Sequence, residues 1–197
     1  MDSWDLRFER EQEEYDWYIS AAECCDVVEA LASVEDEILH VGCGTSGVGQ
    51  EMYHRGKHFV TNVDKSKVAI DIMSQRCAHL SDMQYVQMDA TKLPKDLSGV
   101  FQLVLDKALL DALLCETNQE KADKYLLEVK RVLKPNGFFC CISHGIPDNR
   151  LARIAKAFSV HPSRVTVSTI PKPQVQGIPQ GASPNYYIYT VQNGRKA

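Results

Sequence analysis

No stretch of this sequence stays apolar long enough to cross a bilayer, so no membrane-spanning helix is expected. Positive charge is not in excess either. The 22 Lys and Arg stand against 26 Asp and Glu, a net charge of −4, so the chain carries no general basic footprint for nucleic acid. None of the seven cysteines falls in a C-x-x-C pair. Cys24–Cys25 and Cys140–Cys141 are adjacent, which argues against a zinc site, and no metal is expected. The odd cysteine count reads as reduced thiols serving as small core hydrophobes in a cytoplasmic protein. The first sixteen residues are acidic and polar, unlike a secretory signal. Internal repeats and low-complexity tracts are missing.

The 197 residues, 44% of them hydrophobic, suffice for one domain with a sizeable core. The expected division is an aromatic lid segment at 1–20, a core at 21–145, and a C-terminal loop and hairpin at 146–197. Both tryptophans, Trp4 and Trp17, lie in the first segment with Phe8, Tyr15 and Tyr18. So many aromatics argue for docking rather than disorder.

Beyond it, apolar strands alternate with helices. Helices are expected at Ala21–Ser33, Val48–Arg55, Ser66–His79, Lys121–Leu133 and Leu151–Phe158. Strands are expected at Glu37–Val41, His58–Asp64, Gln84–Met88, Phe101–Leu105 and Phe138–Ser143. The run Lys134–Gly137 (KPNG) reads as the stop after the Lys121–Leu133 helix. Strands apolar on both faces and separated by helices imply a parallel sheet covered on both sides. Val165–Ile170 and Tyr186–Val191 alternate as two further strands, an antiparallel hairpin around a proline-rich loop at Pro171–Pro184. The fold class is therefore α/β, a doubly wound Rossmann-like sheet of seven strands, mostly parallel.

Chemistry gathers at the strand ends. Gly42 and Gly44, in GCGTSG, follow the first strand and open a helix, where glycine allows tight turning and close backbone approach to a ligand. Asp64 ends the second strand 22 residues after Gly42, where an acid meets the hydroxyls of a bound ribose. Asp89, followed by Ala90, ends the third, where a carboxylate accepts from an adenine amino group. Each acid alone also fits a cap or turn. The three together point to a nucleoside, and Asp89 sets the pattern apart from that of an NAD-dependent oxidoreductase.

Read in order, ILHVGCGTSG, FVTNVD, YVQMDATKLP, FQLVLDKALLDALL and VLKPNGFF resemble the class I S-adenosylmethionine-dependent methyltransferases over almost the full length. DKALLDALL, with SWDLRF and YDWY, resembles the methyltransferase-like-13 and endothelin-converting-enzyme-2-like group, which includes lysine methyltransferases of translation elongation factor 1-alpha. The resemblance implies S-adenosylmethionine as cofactor and a protein substrate. It also implies cofactor contacts at Trp4, Phe8, Trp17, Gly42, Gly44, Asp64, Lys65, Asp89, Ala90 and Lys107. Asp106 and Asp111 are the expected catalytic pair, orienting a lysine amine and accepting its proton. His144 and the tyrosines 186, 187 and 189 are acceptor-side candidates. Three positions depart from the family: His40 stands for an acid, Phe8 for a tyrosine and Ala108 for a glycine. A small-molecule methyltransferase and a non-catalytic cofactor- or partner-binding module are the competing readings. A monomer is favoured.

Overall fold

The computed structural model describes residues 3–116, 119–173 and 183–194. Helix α1 (Ser3–Arg10) lies in the aromatic segment, and α2 (Ala21–Glu29) follows a capping box in which Ser20 and Glu23 satisfy each other's backbone N–H groups. The alternating core then runs β1 (Ile38–Val41), α3 (Val48–His54), β2 (Val60–Asp64), α4 (Lys67–Arg76), β3 (Gln84–Gln87) and β4 (Phe101–Lys107). It continues through α5 (Leu109–Cys115), α6 (Glu120–Val132), β5 (Leu133–Ser143) and α7 (Pro147–Phe158) to β6 (Val165–Pro171) and β7 (Asn185–Gln192).

The seven strands form one sheet in the order β3-β2-β1-β4-β5-β7-β6. The first five are parallel, and β7 inserts antiparallel between β5 and β6. This is the expected architecture. All four residues of β1 are buried and most of β4 is, because helices cover both faces. One core packs Leu39, Val104, Phe139 and Tyr189 beneath α6 and α7. The other packs Ile38, Leu103, Leu105 and Cys140 beneath α2 and α3. All seven cysteines are free, and only Cys115 is exposed, so the rest act as apolar filler.

Four elements differ from expectation. Helices α1 and α5 lie in segments for which no helix was anticipated. Helix α7 starts at Pro147, four residues early, because proline suits the first helical turn. The stop signal Lys134–Gly137 lies inside β5 rather than between elements. Leu133 already pairs with Phe101, and Phe138 with Leu103, so the intervening residues loop out through a left-handed Asn136 (φ 66°). In the expected loop Pro171–Pro184, Pro171 pairs with Asn185 and Lys172 donates to the Pro184 carbonyl, while residues 174–182 lie outside the described residues.

Candidate functional site

The parallel strands deliver their C-terminal ends to one side of the sheet, where open α/β folds hold ligands. At the β1 tip, Gly42 and Gly44 have left-handed backbones (φ 62° and 50°). A Cβ on Gly42 would lie 2.9 Å from Leu109 Cβ, and one on Gly44 would lie 3.2 Å from the Phe8 ring, so the turn has space only for glycine. At the β2 tip, Asp64 accepts the Gly44 N–H at 2.9 Å and the Ser66 N–H at 2.8 Å. One carboxylate thus locks two tips together. Ser66 caps α4 and donates to Asp5 at 2.5 Å, tying α1 to the sheet. At the β3 tip, Asp89 accepts the Thr91 N–H and hydroxyl through a single oxygen, forming an Asx turn, and Ala90 is buried beside it.

The N-terminal segment covers these tips. Lys107, at the end of β4, is 2.6 Å from Asp16 and donates to the Trp17 carbonyl. Asp16 also accepts from Ser46, and Arg76 donates to the Gln12 carbonyl at 2.7 Å. Trp4 stacks on Phe8, and Trp17 meets Tyr15 edge-on. Together these elements enclose a cavity of about 410 Å³, within the range of small-molecule sites. Trp4, Phe8 and Trp17 line it from above. Gly42 and Gly44, Asp64 and Lys65, and Asp89 and Ala90 line it from the first three tips, and Lys107 from the fourth.

Of the two residues expected to be catalytic, Asp111 lines the cavity and Asp106 does not. Asp106 is fully buried and accepts from the Leu109 and Leu110 N–H groups and from the Tyr125 hydroxyl at 2.7 Å. It caps α5 from inside the core, so the expectation that it handles substrate is corrected. Burial pushes its pKa up to about 7, against three hydrogen bonds that favour the ionised form. As pH rises, the unfolded chain therefore releases this proton first. Between about pH 4 and 7, wild-type protein is expected to lose stability relative to Asp106→Asn, and the gap to level off above. Urea denaturation at several pH values checks this; a constant gap would mean that Asp106 ionises normally.

Asp111 is held rather than free. One oxygen accepts from Ser143 (2.5 Å) and from Arg150 Nε (3.1 Å) and Nη2 (2.8 Å). The other accepts the Tyr18 hydroxyl (2.8 Å) and the His144 N–H (2.9 Å). Tyr18, Ser143 and Arg150 were not anticipated from sequence. Tyr18 has a left-handed backbone (φ 68°), a strain that an aromatic residue adopts only when its surroundings impose it. Burial and the Asp111 charge push its phenol upward, so it stays protonated. His144 lines the same cavity, and its ring packs on Tyr18. Tyr186 also packs on Tyr18, while Tyr187 and Tyr189 stack on each other away from the cavity lining.

Two family departures have physical consequences. His40 is buried, its Nδ1 is 3.0 Å from Asn62 Oδ1, and burial pushes it down to about 4, so the imidazole is neutral. Asn62 donates to the Gln84 carbonyl, which leaves Oδ1 as acceptor and assigns the His40 proton to Nδ1. A neutral ring with an acceptor Nε2 therefore lines the cavity at a position where the resemblance implies an acid. Ala108 takes φ 84°, the left-handed conformation glycine adopts freely. Ala108→Gly is expected to raise stability by about 0.5–1 kcal/mol, the strain relieved less the entropy glycine adds to the unfolded chain. Thermal denaturation checks this; a lower melting temperature would contradict it.

A family model described as a methyltransferase domain matches residues 38–137. Over 145 residues the chain is 37% identical to the eEF1A lysine and N-terminal methyltransferase of Xenopus laevis, covering 71% of this chain and 21% of that protein. It is 32% identical over 165 residues to EEF1A lysine methyltransferase 4 of Mus musculus, covering 78% of this chain and 64% of that one. The chain thus spans about a fifth of the first relative and just under two thirds of the second. Among solved structures, the 1,6-didemethyltoxoflavin-N1-methyltransferase of Burkholderia thailandensis, bound to S-adenosylhomocysteine, superposes with a TM-score of 0.65 at 14% identity. That match covers 91% of this chain and 80% of the other. With its cavity built by the tips of successive parallel strands, and the family model spanning half its length, this chain belongs to the methyltransferase domain family.

Proposed function

We propose that this chain is an S-adenosylmethionine-dependent methyltransferase that acts on a lysine of a protein substrate, elongation factor 1-alpha by similarity to its relatives. The observation that carries the reading is the convergence of a glycine turn, Asp64 and Asp89 on one cavity closed by an aromatic lid. The residues fit the donor. Asp64 and Lys65 would hold the ribose, Asp89 and Ala90 the adenine, and the Gly42–Gly44 turn the methionine part, under Trp4, Phe8 and Trp17.

When bound, the donor supplies a methyl already activated on a sulfonium. The chain's task is to align a neutral amine with it and to exclude water. Tyr18, fixed by Asp111, presents its phenol oxygen as an acceptor for an amine N–H. Asp111 acts through Tyr18 as a positioning residue, since its oxygens are taken by Ser143, Arg150 and the His144 N–H. His144, half-exposed and lining the cavity, takes the proton that the lysine ammonium releases before attack. The cytoplasm suits seven free thiols.

Incubation with methyl-labelled S-adenosylmethionine and elongation factor 1-alpha tests the reading. Label is expected on a lysine of that factor. Cofactor binding without label in any lysate protein would favour a non-catalytic module instead, and label confined to small molecules would refute the protein substrate.

A further inference from the structure

We infer that Arg7 anchors the α-carboxylate of the donor's methionine part, an inference that rests on the methyltransferase reading above. The side chain lines the cavity, and its guanidinium carbon sits 4.9 Å from the centre of the Trp17 ring, 5.3 Å from Tyr15 and 5.6 Å from Trp4. Three rings hold the cation in place and leave the in-plane N–H edges for hydrogen bonding. Only Nε is engaged, with Glu11 at 3.1 Å. Among the described residues, neither Nη amine has a hydrogen-bond partner. The next residue, Phe8, packs its ring on Gly44 at the β1 tip, and Trp17, whose ring meets the guanidinium, accepts from Lys107 of β4 through its carbonyl.

Charge bookkeeping points the same way. The cavity is lined by the acids Glu11, Asp64, Asp89, Asp111 and Glu116, and an anionic ligand group entering it needs a cation. Lys107 is engaged by both Asp16 and the Trp17 carbonyl, whereas Arg7, paired with Glu11 through Nε alone, keeps both Nη groups for a ligand. Arg7 offers a planar fork that matches a carboxylate in two parallel hydrogen bonds.

Calorimetry with two ligands separates this role from simple lid packing. S-adenosylhomocysteine carries the amino-acid part; 5′-methylthioadenosine keeps the nucleoside and sulfur but lacks it. Arg7→Met is expected to weaken S-adenosylhomocysteine roughly ten- to a hundredfold and methylthioadenosine less than about threefold, with Arg7→Lys in between. Equal loss on both ligands would mean that Arg7 only packs the lid, and unchanged affinity for S-adenosylhomocysteine would mean that it does not reach the carboxylate; either result overturns the inference. If the wild-type chain binds neither ligand, the donor reading fails and takes this inference with it.

Discussion

Asp64→Ala is expected to lower the affinity for S-adenosylhomocysteine by about a hundredfold or more. A charge-assisted hydrogen bond contributes about 1.5–3 kcal/mol, and a carboxylate gripping both ribose hydroxyls makes two of them. About 3 kcal/mol is already more than a hundredfold in dissociation constant. The loss has a second source. Asp64 also accepts from the Gly44 and Ser66 N–H groups, so its removal leaves the glycine turn joined to β2 only through the backbone, where the Cys43 N–H donates to the Val63 carbonyl. Asp64→Asn retains an acceptor for one N–H but must turn its amide toward another donor, and is expected to fall between wild type and alanine. Calorimetric titration measures the effect. Affinity within about threefold of wild type would remove Asp64 from the ribose.

Asp111→Ala is expected to act mainly on stability. Arg150 and Asp111 are 2.8 Å apart, with only 9% and 4% of their side chains exposed. Truncating one partner of a buried pair leaves an uncompensated charge and costs about 3–5 kcal/mol. In a chain of this size each kcal/mol lowers the melting temperature by about 2–4 °C, so a fall of roughly 6–20 °C is expected. Ser143, Tyr18 and the His144 N–H lose their acceptor in the same step. Asp111→Asn keeps an oxygen but not the charge, and is expected to cost less. A fall under about 3 °C would show that water or another acceptor reaches Arg150 in the variant, and that Asp111 is not the post around which Tyr18 is set.

The sheet was legible because parallel strands buried on both faces read as apolar runs broken by no more than one polar residue. Ile38–Val41 and Phe101–Leu105 are such runs, and both are central strands. Helix α5 was not, because LLDALLC is too short and too uniformly apolar to show a period, and Ala108 at its start supplies no cap of its own. Residues 134–137 carry a turn signature that the register shift in β5 absorbs.

In the site, the strand-tip residues were readable because their spacing follows the βα repeat. The two acids of DKALLD were not separable. Both sit in one motif, yet the backbone reverses between them at Ala108, sending Asp106 under α5 and Asp111 into the cavity wall. Arg150 lies 39 residues from its partner on a helix whose polar residues look like an ordinary solvated face, so nothing in the sequence joins the two. Tyr18 and Arg7 lay in view among the N-terminal aromatics, but only the folded lid shows what each touches. The glycine run itself is ambiguous. Gly42, Gly44 and Gly47 have the G-x-G-x-x-G spacing of a dinucleotide turn, so the choice of nucleoside falls to Asp89 and to the lid.

Equilibrium dialysis with labelled S-adenosylmethionine puts that choice to the test most directly. Saturable retention of one molecule per chain is expected, displaced by S-adenosylhomocysteine and not by NAD. No retention above buffer, or displacement by NAD as readily as by S-adenosylhomocysteine, would contradict it.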